Sequence, residues 1–462
     1  MELIRLVEGK ILSVVESVVR LLEGETDYFS FEAQLKKELD GLGLELLQAV
    51  LEALDRELEA SKERKRVWAI VRKKDRKEIL TPFGLLAYER NYYRHKESKR
   101  YAYLVDEKVG VTPHARVGAS LKGELVQNCV DLSYEGSTVQ VSRHNAELKV
   151  SRQTVAACVK EFRAKAPRLP ERKRRVSTLY LEADEDHVKV KGRKGAQARL
   201  IYIHEGVDDS PRRRLKNARY FTTVTKSPLE FWLEVCDYIS AHYDFENLEA
   251  IYLSGDGSSW IRAGAEFIPG VTFILDKFHL ANYLLGATAH APELRRPIYR
   301  GLRSLNKQVV LNYLHEALKR AKGASKQKRI HELIKYIDRN WDGIEAAVKH
   351  PHIGCSAEGH VSHILAARLS SRPMAWSLKG SENMAAMRAV KANGESVKKH
   401  YLSSRMPATP IVELKEVVQK ELKRLQQTSL LGKEYLNNVP LFRGGDNLTR
   451  RALKGLNGYA VI

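Results

Sequence analysis

One stretch of the sequence, residues 178–192, sets acids inside a run of strand-forming residues. Apolar and aromatic residues flank four acids, Glu182, Asp184, Glu185 and Asp186, although acids are poor strand formers. If one strand continues throughout, its alternation places Glu182, Asp184 and Asp186 on a single face. Carboxylates that share a partly buried face repel each other unless a cation lies among them, and such clusters suit Mg²⁺ or Mn²⁺. An acidic, solvated strand end is the alternative.

The composition favours a polyanionic partner. The chain of 462 residues has 78 Lys and Arg against 57 Asp and Glu, a net charge of +21. Such an excess favours nucleic acid as the partner. No window approaches the roughly twenty apolar residues of a spanning helix, so we expect no membrane partner. The four cysteines are far apart and form no CxxC pair, which indicates a reducing cytosol rather than a disulfide framework or zinc knuckle.

Periodicity and composition predict an α/β protein with a helical and small β region at its N-terminus. Apolar residues at three-and-four spacing predict helices up to about Lys74. The predicted divisions are a helical region suited to packing or self-association (1–75), a small β unit (76–112), a helix-turn-helix-like DNA-binding domain (113–165), a basic linker (166–177), an α/β domain (178–284 and 351–400), a helical insertion (285–350) and a C-terminal helix with a basic tail (401–462).

Two short helices joined by a tight bend are predicted between residues 134 and 163. Ser151 is a candidate N-cap of the second helix, and Val155, Cys158 and Val159 form its buried stripe. This is the plan of a helix-turn-helix, whose second helix enters the major groove, and also of many plain helical hairpins. The candidate DNA contacts are basic or polar residues of this helix, of the linker and of a later segment: Arg152, Gln153, Lys160, Arg163, Arg172, Lys173, Arg174, Arg175, Arg368 and Arg372.

Strands and helices alternate after residue 178, and one helix is predicted from Pro228 to His242. Asp256 follows a short apolar strand in a Gly-Asp-Gly turn, and Asp276 ends the next strand. Ligands bind at the carboxyl edge of open α/β sheets. His279 would share a helix face with Asp276, three residues earlier. Each residue also has a purely structural interpretation, Asp256 as a turn or cap and His279 as a packed side chain.

A further acid follows the predicted insertion. Ser356 can cap a helix whose first turn holds Glu358, with Val361 and Leu365 at helical spacings beyond it. The helix dipole favours a Glu at this position without any function. Glu382, in the next predicted helix, is its rival as a catalytic acid.

The ordered set of Asp184, Asp256, Asp276-Lys-Phe-His279 and Glu358, with its flanking residues, resembles the DDE transposases of bacterial insertion sequences. It is most similar to the ISLre type, which is related to the Mutator-like group, and the resemblance covers nearly the whole chain from about residue 75. It implies an RNase H-like catalytic domain with a helical insertion. It also implies that Asp184, Asp256 and Glu358 are catalytic residues and metal ligands, with Asp276 and His279 auxiliary. Glu182 and Asp186 stay alternatives to Asp184.

The resemblance further implies Mg²⁺ or Mn²⁺ as cofactor, double-stranded DNA of transposon ends and target as partner, and a homodimer or larger homo-oligomer in the nucleoid. Three carboxylates suit a pair of divalent ions that stabilise attacking and leaving oxygens at phosphorus. Water would free a 3′-hydroxyl, which then attacks target DNA. His279 would position a phosphate, shuttle a proton or brace the helix. The alternatives are a non-enzymatic DNA-binding protein, such as an inactive or domesticated transposase, and an RNase H-like nuclease that joins no ends.

Overall fold

A computed structural model describes residues 2–211, 213–350 and 353–405, with backbone alone for residues 2–6 and 8. The described chain is a mixed α/β protein of two compact units. One comprises residues 2–125, 138–150 and 402–405, and the other 126–137 and 151–401. The C-terminal helix and basic tail predicted for 401–462 lie, beyond residue 405, outside the described residues. Within the described ranges, no helix combines the length and apolarity that crossing a membrane requires.

The first unit contains helices and a three-stranded antiparallel sheet in the order β1-β2-β3. A core of buried apolar residues includes Leu54, Ile79, Leu86 and Tyr88. The elements are α1 (Glu2–Leu22), α2 (Tyr28–Ala60), α3 (Lys62–Val67), β1 (Trp68–Thr81), β2 (Gly84–His95), β3 (Tyr101–Ala102) and α4 (Leu104–Val109), followed by α5 (Ala119–Cys129) and α6 (Tyr134–His144), whose residues are divided between the units.

The prediction of helix up to Lys74 is wrong for its last residues. Strand β1 begins at Trp68, which pairs with His95, while Ile70 pairs with Tyr93. Aromatic and β-branched residues pack well across paired strands. The helical periodicity of the preceding segment therefore ends with α3.

The second unit contains a five-stranded mixed sheet with helices around it. Short 3₁₀ turns cover Phe245–Asn247 and Pro292–Leu294. The elements, up to residue 405, are α7 (Arg152–Glu161), β4 (Thr178–Val188), β5 (Ala196–His204), β6 (Arg219–Thr223), α8 (Pro228–His242), β7 (Ala250–Gly255), α9 (Ser259–Arg262), α10 (Gly264–Phe267), β8 (Val271–Leu275), α11 (Lys277–Ala287), α12 (Arg295–Arg303), α13 (Lys307–Arg320), α14 (Ala324–Arg339), α15 (Trp341–Lys349), α16 (Ala357–Val361), a π-helical turn (Ser362–Ala366), α17 (Ala367–Leu369), α18 (Leu378–Ala392) and α19 (Val397–Ser403).

Strand β4, which carries the acids, lies at the centre of this sheet. The strand order is β6-β5-β4-β7-β8, with β5 antiparallel to β4 and β6, and with β7 and β8 parallel to β4. Leu179, Leu181 and Ala183 pack in the apolar core with α8, whereas Tyr180 packs beside the cluster around Ile274. Alternation therefore assigns Glu182 and Asp184 to the face opposite the α8 core.

Several predicted features are confirmed. Helix α8 spans the predicted Pro228–His242, because Ser227 and Glu230 form a capping box with Pro228 in the first turn. Strand β4 runs from Thr178 to Val188 through all four acids, so the assumption of one continuous strand is met up to Val188. Ser151 accepts a hydrogen bond from the Thr154 N–H as the N-cap of α7.

A close approach between Gly264 and Trp232 gives a stability prediction. A Cβ at Gly264 would lie 2.5 Å from the buried Trp232 ring, whose Nε1–H donates to the Trp260 carbonyl at 2.7 Å. We expect Gly264→Ala to lower the free energy of unfolding by about 1–3 kcal/mol. Gly286→Ala is the matched control, because nothing lies within 4 Å of that site, and it should be neutral or stabilise by up to about 1 kcal/mol. Urea unfolding followed by circular dichroism measures both, and equal stability of the two variants would contradict this packing.

Candidate active site

Strand register brings three aspartates to one edge of the sheet. Glu182 pairs with Ser254, and Ser254 pairs with Ile274. Asp184, Asp256 and Asp276 each follow one of these paired residues by two positions. Neighbouring strands lie about 4.8 Å apart, and residues two apart share a face. The three aspartates therefore form a row where β7 and β8 end, with Asp184 at the matching position of β4, which continues to Val188.

A cluster of possible metal ligands lies at this edge. One ligand atom each from Asp184, His279 and Glu358 lies within 4.8 Å of the other two. His279 Nε2 is 3.8 Å from Glu358 Oε2. Asp184 is buried, with 7% of its surface exposed, whereas the Glu358 side chain is 64% exposed. The cluster therefore combines a fixed buried carboxylate with one that solvent and a substrate can reach.

Asp256 lies beside this cluster but is not among the three residues within 4.8 Å. Its Oδ1 accepts a hydrogen bond of 2.8 Å from the Ser258 N–H, so it also serves as a turn residue. Its charge contributes to raising the pKa values of both Asp184 and His279. Asp256 is thus electrostatically part of the site, with one carboxylate oxygen held by its own turn.

The helical insertion supports the turn that carries Asp256. The Tyr336 hydroxyl donates to the Asp256 carbonyl at 2.7 Å, and Arg339 donates to the Gly257 carbonyl at 3.3 Å, both from α14. Gly257 has φ +80°, and a Cβ there would lie 2.5 Å from the Asn340 side chain. The insertion and the glycine together fix the turn.

Burial and neighbouring charges shift the protonation of the cluster. Burial raises the pKa of the Asp184 carboxyl to about 7, against the hydrogen bond from the Glu185 N–H and the charge of His279. The hydrogen bond with Asp276 raises the pKa of the His279 imidazole to about 9. That bond joins His279 Nδ1 to Asp276 Oδ2 at 2.7 Å, and Asp276 also accepts from the Phe278 N–H at the start of α11. The predicted shared face of Asp276 and His279 is confirmed.

Glu182 has a different environment from Asp184 on the same strand. Its carboxylate accepts hydrogen bonds from the Tyr202 hydroxyl and from the backbone N–H of Ser356, and lies 3.1 Å from His204 Nε2. Burial alone would raise the pKa of Glu182, but these bonds outweigh it and hold the pKa below its usual value. Its oxygens are engaged by protein groups, so Glu182 acts as a structural anchor in this arrangement.

The same contacts position the helix that carries Glu358. Ser356 occupies the N-cap position of α16 but its side chain caps no backbone N–H, and its hydroxyl lies 3.2 Å from Glu182 instead. The His360 ring lies 4.6 Å from the Tyr202 ring. A π-helical turn, Ser362–Ala366, follows α16 directly, and such turns recur at functional sites. Sequence reasoning missed Tyr202 and His204, although their alternation on β5 and its pairing with β4 place both on the same face as Glu182.

The other acids considered, Asp186 and Glu382, are not among the three residues of the cluster. Asp186 has a buried Oδ2 without a hydrogen-bond partner among the described residues. Glu382 accepts from the backbone N–H groups of Val224 and Thr225 and from the Thr223 hydroxyl, at the end of β6. The Glu382 carboxylate is therefore occupied by the end of the sheet.

The predicted DNA contacts differ in accessibility. Arg368 is buried, donates to the Cys129 carbonyl at 3.0 Å and lies 5.0 Å from the Trp376 ring, so it is not available at the surface as predicted. Arg174 is 2.6 Å from Glu205, and Arg175 is 3.3 Å from Asp244. These ion pairs compensate part of the linker's charge. The remaining candidates are all exposed: Arg152, Gln153, Lys160, Arg163, Arg172, Lys173 and Arg372.

Asp184 and Glu182 should affect stability in opposite directions without added metal. Between pH 4 and 7, folded Asp184 retains a proton that the unfolded chain releases, so its contribution to stability falls as pH rises. We expect Asp184→Asn to stabilise the protein at pH 8 by roughly 1–3 kcal/mol, and much less at pH 4. The lowered pKa of Glu182 stabilises the fold above about pH 4.5 and loses this effect on acidification, so Glu182→Gln should cost about 2–3 kcal/mol at pH 8.

Thermal unfolding in EDTA from pH 4 to pH 8 measures both effects. Destabilisation by Asp184→Asn at pH 8, or no cost from Glu182→Gln, would contradict the assigned environments.

Comparisons with known proteins identify the family. The model of a family described as "Uncharacterised protein family (UPF0236)" matches residues 25–405. A UPF0236 protein of Caldanaerobacter subterraneus subsp. tengcongensis is 38% identical over 384 residues, 82% of this chain and 82% of that protein. Another from that organism, whose name joins eleven gene designations, is 36% identical over 447 residues, 96% of this chain and 94% of that protein. The UPF0236 protein in the vanSb 3′ region of Streptococcus gallolyticus is 24% identical over 402 residues, covering 83% and 87%. The chain therefore belongs to the UPF0236 family.

Proposed function

We propose that this protein is a DDE transposase that cuts the DNA ends of its own element and joins them to target DNA. The observation that carries the proposal is the convergence at one sheet edge of Asp184, Asp256 and Glu358, which are 72 and 102 positions apart in sequence. Glu358 reaches this edge from a helix that the Glu182 contacts hold against the sheet. Three acids from distant parts of the sequence thus lie near the same edge of the sheet.

We infer that the second unit has an RNase H-like fold. The support is a mixed five-stranded sheet with its first strand at the centre, its second strand antiparallel, and the first acid on the central strand. Helices α12 to α15 lie between Asp256 and Glu358 in sequence, where the resemblance to the DDE family implies a helical insertion. The insertion also contacts the Asp256 turn through Tyr336.

The residues at the edge fit a divalent cation. Asp184 and Glu358 offer carboxylate oxygens within 4.8 Å of each other and of a His279 nitrogen, with Asp256 beside them. Oxygen-rich sites of this kind suit Mg²⁺ or Mn²⁺. When bound, such ions supply electrostatic stabilisation to oxygens at a reacting phosphorus. Asp184, Asp256 and Glu358 are the ligands that we propose.

The surrounding residues have supporting roles in this proposal. Asp276 fixes the orientation of His279, whose Nε2 faces Glu358 and can hold that exposed carboxylate or exchange a proton with a nearby substrate oxygen. Glu182 fixes the start of α16, and Tyr336 fixes the Asp256 turn. The site is therefore ordered by contacts that need no ion.

Two further observations support DNA as the substrate and a mobile element as the source. The net charge of +21 favours double-stranded DNA as partner. One relative is known under eleven gene designations in a single organism, a multiplicity that an element copying itself would produce. A homodimer or larger assembly would hold two transposon ends together.

The test is cleavage of a DNA duplex that carries the end of the protein's own element, with Mg²⁺ or Mn²⁺. We expect metal-dependent cleavage that Asp184→Asn, Asp256→Asn and Glu358→Gln each reduce on the order of 10²-fold or more, because each removes several kcal/mol of stabilisation. Glu382→Gln is the matched control and should retain cleavage, since that carboxylate is bound at the end of β6.

The outcomes separate the proposal from its alternatives. Strand transfer of precleaved ends supports a transposase, whereas cleavage without joining identifies a nuclease. DNA binding without metal-dependent cleavage identifies a non-enzymatic DNA-binding protein. Loss of cleavage in Glu382→Gln with full activity in Glu358→Gln would reverse the assignment of the third acid.

A further inference from the structure

A row of arginines lies on the first helix of the insertion. Helix α12 has the sequence RRPIYRGLR, with four arginines and no acid. Arg296, Arg300 and Arg303 are four and three positions apart, so their side chains lie on one face of the helix. All three are exposed, whereas Ile298, Gly301 and Leu302 bury the opposite side. We call these three residues the arginine row.

The arginine row carries uncompensated charge. Among the residues that the structure describes, no carboxylate forms an ion pair with Arg296, Arg300 or Arg303. The nearby acid Glu293 is engaged instead by Arg320 at 2.6 Å. Three guanidinium groups held together repel one another, and nothing in the described fold offsets that cost. The arrangement therefore suits a ligand with several negative charges.

Arg295, the fourth arginine of α12, differs from the arginine row because its side chain is hydrogen-bonded within the protein. Its Nε–H donates to Thr288 Oγ1 at 3.0 Å, and a second nitrogen donates to the Leu285 carbonyl at 3.2 Å. These bonds tie the start of α12 to the end of α11, the helix that begins beside His279. Helix α11 therefore leads in sequence from His279 of the candidate active site towards the arginine row, and its eleven residues rise about 16 Å.

The row borders an open groove of about 890 Å³, which Tyr299 and Ser304 also line. From Arg296 to Arg303 the helix rises about 10 Å. One strand of B-DNA carries about three phosphates over that distance along its axis. Guanidinium groups match phosphate oxygens with paired hydrogen bonds, and a tyrosine hydroxyl can add another.

We propose that the arginine row binds the phosphate backbone of double-stranded DNA. Three cations spaced along one helix face match a regular line of phosphates better than a single small anion, which would contact only one or two of them. Contacts to phosphate oxygens carry no sequence information, so the binding that we propose is independent of sequence. This inference rests on the proposed DNA partner but not on the proposed chemistry, because phosphate binding needs neither metal nor cleavage.

The experiment measures binding of the full-length protein to a generic 30-base-pair duplex in EDTA, by fluorescence anisotropy at several KCl concentrations. We expect the triple variant Arg296→Gln, Arg300→Gln, Arg303→Gln to bind about tenfold or more weakly at low salt. The slope of log affinity against log salt should fall in magnitude by about 2 to 3, close to one for each phosphate that the variant no longer binds.

The matched control removes the same charge elsewhere in the insertion. Lys319, Lys322 and Lys326 are exposed and carry no ion pair among the described residues. The triple variant Lys319→Gln, Lys322→Gln, Lys326→Gln should keep the salt slope within about one unit of wild type. Equal losses in both triple variants would mean that only overall charge matters, and would overturn the proposal. An unchanged slope in the arginine variant would overturn it as well.

A second variant of the arginine row distinguishes loss of charge from misfolding. Replacing Arg296, Arg300 and Arg303 with lysine keeps the charge but not the paired hydrogen-bond geometry. We expect it to retain most of the salt slope and a large part of the affinity. A loss as large as that of the glutamine variant would contradict phosphate binding by the row.

If the true partner of the row is an acidic protein, DNA binding should be unchanged in all three variants, which would overturn the proposal. Absence of DNA cleavage leaves this result intact, so the two proposals fail separately.

Discussion

The pairing of β4 with β7 and of β7 with β8 is the constraint on which the candidate site depends. Because Glu182, Ser254 and Ile274 are in register, the aspartates two residues beyond them meet at one edge. A slip of one residue in either pairing would move its aspartate to the other face. The apolar core behind β4, with Leu181 and Ala183, opposes such a slip.

Two acids on one strand illustrate how environment separates structural from chemical roles. Glu182 and Asp184 share a face, yet Glu182 is surrounded by donors while Asp184 has one backbone donor and neighbouring acids. The charge of Glu182 is stabilised by protein, and the charge of Asp184 is disfavoured until a cation or proton compensates it. The first therefore anchors the Glu358 helix, and the second is available for ligand binding.

Much of this arrangement could be predicted because it follows local patterns. The strand through the acids, the bounds of α8 and the cap at Ser151 all follow from alternation or capping chemistry. Partners distant in sequence could not be predicted. Ser356 was expected to cap a helix, but its hydroxyl meets Glu182, 174 positions away. Arg368 was expected at the surface, but it packs on Trp376, because a charge alone does not reveal burial. The choice of Asp184, Asp256 and Glu358 as ligands stays a prediction.

Calorimetric titration with Mn²⁺ tests most directly the claim that these carboxylates hold divalent cations together. We expect binding to the wild-type protein at pH 8 that is abolished or badly weakened in Asp184→Asn and in Glu358→Gln. Asp186→Asn, on the same strand but outside the cluster, should bind as wild type does. Equal binding by wild type and by the Asp184 and Glu358 variants, or loss of binding in Asp186→Asn alone, would contradict it.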